Sequence, residues 1–124
     1  MVEDSAPSSG FAAALADPCL GAVLIGPSNP YVSIAPILAI PAVAQFLDRR
    51  TVPVIGVSPI VGGKAIKGPA AKMMGELGAD VSVAGIAAHY GDRLDGLVID
   101  RVDEWLAGQL RETGLSVEVA ETVM

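Results

Sequence analysis

The stretch VPVIGVSPIVGGKAIKGP, residues 52–69, decides the fold of this chain of 124 residues. It opens with an apolar run of strand length, residues 52–57, and then passes into a polar loop that is rich in glycine and proline. The same arrangement occurs upstream, where the apolar run 20–25 stops at GPSNP, residues 26–30. Short apolar runs bounded by turn residues are typical of strands in a parallel sheet that is covered by helices. The two stretches therefore predict two such strands, each followed by a turn-rich loop.

The segments around these strands predict a regular alternation of helices and strands. Further strands are expected at residues 94–99 and 115–119. Helices are expected at residues 10–16, 33–47, 69–77, 82–90 and 100–113, with a kink or restart at Pro41 and with caps at Ser8 or Ser9, Ser33, Ser82 and Asp100. Strands that alternate with helices at this spacing form right-handed βαβ units. The predicted fold is a single α/β domain over residues 1–124, a three-layer, Rossmann-like, mainly parallel sheet with helices on both faces.

The composition agrees with this fold and excludes several classes of protein. Apolar residues make up 52% of the chain and aromatic residues only 4%, which favours a parallel-sheet core of small aliphatic side chains. The net charge of −6 argues against nucleic-acid binding, which rewards clustered Lys and Arg. One cysteine and one histidine leave no ligand set for a zinc site. The acidic first residues and the lack of a long apolar run predict a cytoplasmic protein without a membrane partner.

The two turn-rich loops are candidates for a ligand-binding site. In open α/β sheets, ligands bind beyond the carboxyl ends of the strands, so the two loops are expected to be neighbours. Glycines let the backbone approach a phosphate, while Ser and Asn side chains and the helix starts at Ser33 and Gly68 offer donors to an anion. The candidate binding residues are Gly26, Ser28, Asn29, Ser33, Ser58, Gly62, Gly63 and Gly68. Together they predict a site for an anionic ligand.

The charges near the second loop favour the same interpretation. Between Arg49 and Gly75 the chain has five basic residues and no acidic residue, although it is acidic overall. A locally positive field is therefore expected around Lys64 and Lys67. The alternative is that these lysines cluster by chance and that the glycine and proline residues only turn the chain. The loop is not a P-loop, because neither its glycine spacing nor the residue after Lys64 fits that motif.

Several other residues have a structural interpretation that we prefer to a chemical one. Asp100, Asp103 and Glu104 are metal ligands by type, but acids at a helix start are also what helix electrostatics favours. His89 is expected to pack or to cap rather than to act as a base. Trp105 is expected to pack its helix onto the sheet.

Two long motifs connect the chain with a known family. Residues 26–38, GPSNPYVSIAPIL, and residues 58–70, SPIVGGKAIKGPA, resemble the 2-phospho-L-lactate transferases, which build the deazaflavin coenzyme F-420. The similarity continues to residues 122–124 and so covers nearly the whole chain. A related branch, the gluconeogenesis-factor-like proteins that bind nucleotide sugars, has a different glycine-serine loop and an asparagine in place of Ile37. The chain is therefore more similar to the transferase branch.

The resemblance implies an activity. In the family's reaction, the terminal hydroxyl of the deazariboflavin Fo attacks the distal phosphorus of a guanosine diphosphate ester of lactate or enolpyruvate, and GMP leaves. This is a magnesium-assisted phosphoryl transfer, which depends on positioning and charge neutralisation. The resemblance implies that Lys64 and Lys67 act as catalytic residues that counter the diphosphate charge. The candidate loop residues would orient the guanine nucleotide ester.

The chain also departs from the family's pattern. Family members have an upstream glycine-threonine loop and an asparagine-threonine-glycine segment with paired aspartates, which serve the nucleotide, the metal and Fo, and neither occurs here. The chain therefore resembles the C-terminal portion of the transferase domain, and the ligands of Mg²⁺ are expected outside it. An incomplete sheet predicts a homo-oligomer or association with the missing upstream half. The alternatives are a non-catalytic nucleotide- or nucleotide-sugar-binding module and an inactive structural fragment.

Overall fold

The computed structural model describes residues 8–65 and 69–122. Its α-helices are α1 (Ser9–Ala16), α2 (Ala35–Leu38), α3 (Pro41–Asp48), α4 (Ala70–Glu76), α5 (Val83–Tyr90) and α6 (Ala107–Glu112). Its strands are β1 (Val23–Ile25), β2 (Val54–Val57), β3 (Ile60–Val61), β4 (Lys64–Ala65), β5 (Gly96–Asp100) and β6 (Ser116–Ala120). A π-helical turn at Pro30–Ile34 precedes α2, and 3-10 helices at Gly91–Arg93 and Arg101–Leu106 lie on either side of β5 in the chain.

Four strands form a parallel sheet in the order β1-β2-β5-β6. Helices connect each strand with the next, as parallel pairing requires. The prediction of an α/β, Rossmann-like, parallel sheet flanked by helices is confirmed. β2 begins after the predicted residue 52, because Pro53 has no amide to donate and contributes only its carbonyl, which accepts the Val23 amide at 2.9 Å.

A small antiparallel hairpin of β3 and β4 lies inside the loop that follows β2. The sequence analysis did not predict it, because strands of two residues carry no periodicity that could reveal them. The available signal was the Gly62-Gly63 pair, since two glycines are a frequent two-residue hairpin turn.

The two faces of the parallel sheet differ in exposure. One row of in-register residues faces the core and is buried: Ile25, Gly56, Leu97 and Val117. The adjacent row points the other way, as neighbouring residues of a strand must. In that row Leu24 is 73% exposed and its partner Ile55 is half-buried. Within this chain, the second face of the sheet therefore presents apolar side chains that are only partly covered.

Several predicted helix starts are confirmed by their capping contacts. Ser8 and Ser82 each accept the backbone amide three residues further on, at 3.2 and 3.3 Å. The Asp100 carboxylate accepts the amide two residues further on, at 3.1 Å. The predicted restart occurs at Pro41, which occupies the first turn of α3. These short polar side chains each satisfy an amide that the helix itself leaves unpaired.

Two predictions about local structure are wrong. Ser33 does not cap a helix but lies within the π-helical turn, where the Asn29 carbonyl accepts the amides of Ser33 and of the next residue at 3.0 and 3.1 Å. Trp105 does not pack onto the sheet, since it is 75% exposed. The reason is that it lies in a 3-10 helix with three residues per turn, whose buried positions are Asp103 and Leu106.

Candidate functional site

The two turn-rich loops leave the sheet side by side. β1 and β2 are parallel neighbours, and Ile25 at the end of β1 is in register with Gly56 near the end of β2. The Asn29 side-chain amide in the first loop donates to the Met73 sulfur of α4, the helix after the second loop, at 3.4 Å. The prediction that the two loops are neighbours is confirmed.

The first loop is organised by Asn29 and exposes its other polar groups. The Asn29 side-chain oxygen accepts the Tyr31 amide at 2.9 Å. This contact, together with the two bonds to its carbonyl, makes Asn29 the residue on which the π-helical turn begins. Gly26, Ser28 and Ser33 are exposed. Their role as ligand-binding residues stays a prediction, whereas Asn29 has an evident structural role.

The second loop begins with a buried serine. Ser58 is 1% exposed, and its hydroxyl donates to the Ile60 carbonyl at 3.0 Å and accepts the Ile60 amide at 3.1 Å. Its own amide donates to the Val98 carbonyl of β5 at 2.9 Å. Ser58 therefore ties the start of the loop to the sheet, and its predicted contact with a ligand remains a prediction.

The hairpin turn Gly62-Gly63 is exposed to solvent, and a buried carboxylate binds one of its amides. Both glycines have positive φ angles, 60° and 80°, a combination that β-turns of type I′ require and that glycine adopts without strain. The Gly62 amide donates to the Asp103 carboxylate at 3.0 Å, and Asp103 is 3% exposed. One of the amides predicted to face a phosphate is thus already used. No sequence signal indicated this contact, because Asp103 lies 41 residues further along the chain.

Lys64 follows the turn and carries an exposed cation. It forms no ion pair with the residues that the structure describes. Lys67 and Gly68, which were predicted beside it, lie outside the described residues. Lys72 on α4 is 3.8 Å from Glu76 and is exposed. Lys64 is therefore the described basic residue that is best placed to meet an anion at the second loop.

The predicted positive field does not include the arginines. Arg49 and Arg50 precede β2, so they lie at the opposite edge of the sheet from the loops that follow β1 and β2. Arg50 forms an ion pair with Asp95 at 3.1 Å. The sequence pattern was misleading because it counted basic residues along the chain, whereas a strand separates them in space.

The described residues do not form a magnesium site. No group of three His, Cys, Asp or Glu side chains comes together in residues 8–65 and 69–122. The two buried acids near the loops are engaged with the protein: Asp103 accepts the Gly62 amide, and Asp100 accepts the amide of Thr122 at 2.9 Å. This donor set does not fit a hard cation that needs several oxygen ligands and keeps waters.

The described ranges 8–65 and 69–122 contain no helix long and apolar enough to cross a membrane.

The fold and the paired loops define the chain as an α/β protein of the Rossmann-like class, with two turn-rich loops at the carboxyl ends of neighbouring parallel strands. The model of the 2-phospho-L-lactate transferase CofD family matches residues 2–122, and the chain belongs to this family.

Curated relatives agree with this assignment. The chain is 44% identical over 102 residues to a 2-phospho-L-lactate transferase of Methanococcoides burtonii. The aligned region covers 82% of the chain and 33% of the relative. It is 47% identical over 102 residues to the 2-phospho-L-lactate transferase of Methanocaldococcus jannaschii, with coverage of 82% and 31%. It is 35% identical over 123 residues to a phosphoenolpyruvate transferase of Streptomyces coelicolor, with coverage of 98% and 38%. The chain thus spans about a third of the length of these relatives.

Proposed function

We propose that this chain provides the donor-diphosphate-binding part of a transferase in coenzyme F-420 biosynthesis. The donor is a guanosine diphosphate ester of lactate or of enolpyruvate, and the acceptor is the deazariboflavin Fo. The acceptor hydroxyl attacks the distal phosphorus, the bond from that phosphorus to the bridging oxygen breaks, and GMP leaves with the electron pair. The observation that carries the proposal is the family match over residues 2–122, whose two quoted motifs form neighbouring loops at one edge of the sheet.

The described contacts suggest that some polar residues of the two loops have a structural role and others a ligand-binding role. Asn29 and Ser58 hold the loops in shape, since their side chains bond to the loop backbone. Ser28 and Ser33 are exposed beside them and would donate to phosphate oxygens. Lys64 would neutralise charge on the diphosphate. Such a site contributes by positioning and electrostatics, which is what phosphoryl transfer needs from a protein.

By resemblance to the family, the transfer is assisted by magnesium, which would neutralise charge on the diphosphate. The two buried acids near the loops, Asp100 and Asp103, accept backbone amides, and no three His, Cys, Asp or Glu side chains come together in residues 8–65 and 69–122. We therefore propose that its ligands come from the portion of the transferase that this chain does not cover.

Calorimetric titration of the chain with GDP tests the proposed binding site. Saturable binding with a Kd of about 10 μM, near −7 kcal/mol, is expected. Replacing Lys64 by alanine removes a charge-assisted contact of about 1.5–3 kcal/mol and should weaken binding about 10- to 150-fold. The matched control is Lys72→Ala, because Lys72 is also exposed to solvent but lies 3.8 Å from Glu76 on its own helix. The double variant Lys64→Ala/Lys67→Ala should bind GDP no more tightly than the single variant Lys64→Ala.

The other outcomes separate the alternatives. Unchanged affinity in the double variant would exclude the assigned roles of the two lysines. By the proposal, turnover requires the missing portion, so the second assay adds the part of the Methanocaldococcus jannaschii relative that this chain does not match and follows GMP release. Binding without turnover in that mixture would favour a non-catalytic nucleotide-binding module. Neither binding nor turnover from a folded chain that assembles with concentration would favour a structural fragment.

A further inference from the structure

The 3-10 helix Arg101–Leu106 presents an exposed apolar surface next to the glycine turn. Val102 is 58% exposed and Trp105 is 75% exposed. Because a 3-10 helix has three residues per turn, side chains three positions apart lie on the same face, about 6 Å apart along the axis. These two side chains therefore form one surface, which we call the aromatic ledge.

The 3-10 helix that carries the aromatic ledge is held in place by hydrogen bonds and by core packing. The Asp100 carboxylate caps the 3-10 helix and also accepts the amide and the hydroxyl of Thr122, at 2.9 and 3.1 Å. Asp103, one residue after Val102, binds the Gly62 amide. Leu106 is buried in the core. The indole of Trp105 is thus exposed although its helix is held firmly in place. Packing within the described residues does not explain a large apolar side chain in that position.

The aromatic ledge continues into the second loop. The Val102 side chain lies 3.6 Å from the position that a Cβ would take at Gly62. Gly62 and Gly63 carry no side chains that could block the surface, and Lys64 follows directly with an exposed cation. An apolar platform, an open turn and a positive charge therefore succeed one another. A ligand that joins a planar ring to a phosphate chain has the complementary order of groups.

We propose that Trp105 stacks against a planar heteroaromatic ring of a ligand whose phosphate is bound at the second loop. The inference rests on the proposed function, and it adds a ring-binding residue to that site. Stacking on an aromatic side chain accepts any flat ring, because every such ring has a π-face. The ring is the guanine of the donor, because guanine is joined to the diphosphate, whereas the acceptor Fo carries no phosphate. Trp105 is the chain's one tryptophan, so its indole can be observed without mutation.

The test follows the indole N–H resonance of the ¹⁵N-labelled chain during titrations with pyrophosphate, GDP and riboflavin. A stacked ring should shift this resonance upfield, whereas pyrophosphate should bind without such a shift. A shift with GDP supports the stacking of guanine, and a shift with riboflavin alone, which carries no phosphate, would refute it. Trp105→Ala should weaken the ring-bearing ligand about 5- to 150-fold, and Trp105→Phe should restore most of the affinity. Leu77→Ala is the control, because Leu77 is another large apolar side chain that is 66% exposed.

The outcomes for Trp105 and for the proposed function can be told apart. If GDP binds with the same affinity to Trp105→Ala, and neither ring ligand shifts the indole, the ledge is refuted while the phosphate site stands. If pyrophosphate and GDP both fail to bind, the proposed function is refuted, and the inference about Trp105 is refuted with it. An indole resonance that responds only to protein concentration would refute ring stacking and assign the ledge to self-association.

Discussion

Replacing Arg50 by alanine should destabilise the fold by about 3 kcal/mol, because one guanidinium joins the end of α3 to the segment 92–95 that precedes β5. Its Nε and Nη2 bind the two carboxylate oxygens of Asp95, both at 3.1 Å. Nη1 donates to the Leu47 carbonyl at 2.6 Å and Nη2 to the Asp92 carbonyl at 2.8 Å. The ion pair is partly exposed, with side-chain exposures of 16% and 44%, so we assign it about 1 kcal/mol. The two bonds to backbone carbonyls contribute about 1 kcal/mol each.

Chemical denaturation followed by circular dichroism measures this loss. The control is Arg101→Ala, since the Arg101–Glu121 pair is 3.8 Å apart with both side chains mostly exposed and should contribute less than about 0.5 kcal/mol. In thermal unfolding, a loss of 3 kcal/mol corresponds to roughly 10–15 °C for a domain of this size. If the two variants lose similar stability, then the guanidinium does not hold the segments together and the assignment of magnitudes is refuted.

Two further predictions concern a close approach in the backbone and the dependence of stability on pH. Gly85→Ala should lower the free energy of unfolding by at least about 2 kcal/mol, because the new Cβ would overlap the Asp80 carbonyl oxygen. The control Gly108→Ala meets nothing within 4 Å and should stabilise α6 by about 0.5–1 kcal/mol. Equal free energies of unfolding for the two variants would contradict this prediction. The Arg50 guanidinium and the Val54 amide lower the pKa of Asp95, so its stabilising contribution is present above the unfolded pKa of about 3.9 and is lost as the pH falls through the folded value. The free energy of unfolding, measured by denaturation at pH values from about 2 to 5, should therefore depend less on pH for Asp95→Asn than for the wild type.

The strands and helix starts could be predicted because their signals are local. The apolar runs before the two loops are long enough to identify strands, and the caps at Ser8, Ser82 and Asp100 act within three residues. The hairpin in the second loop escaped prediction because each of its strands has two residues. Ser33 was misjudged as a cap because Asn29, four residues earlier, had already begun the turn.

The candidate site was predicted only as far as its loops. Their proximity follows from parallel pairing, which the alternation of strands and helices implies. The contact of Asp103 with the Gly62 amide depends on two segments 41 residues apart, and no pattern within either segment announces it. Similarly, the exposed position of Trp105 depends on the 3-10 geometry that follows β5, where an α-helix was predicted. Local chemistry predicts which residues are available, and tertiary contacts decide which of them remain open.

This distinction changes how the loops are expected to work. Three polar residues near them, Asn29, Ser58 and Asp103, bind loop backbone and so order the loops when the chain folds. Ligand binding at the proposed site would then not have to supply the free energy of loop ordering, which in flexible loops is taken from the affinity. The groups left exposed, above all Lys64, would provide the attraction to the diphosphate. The proposed function therefore predicts that this third of the transferase binds a phosphate chain by itself, because its loops are already ordered in the folded chain.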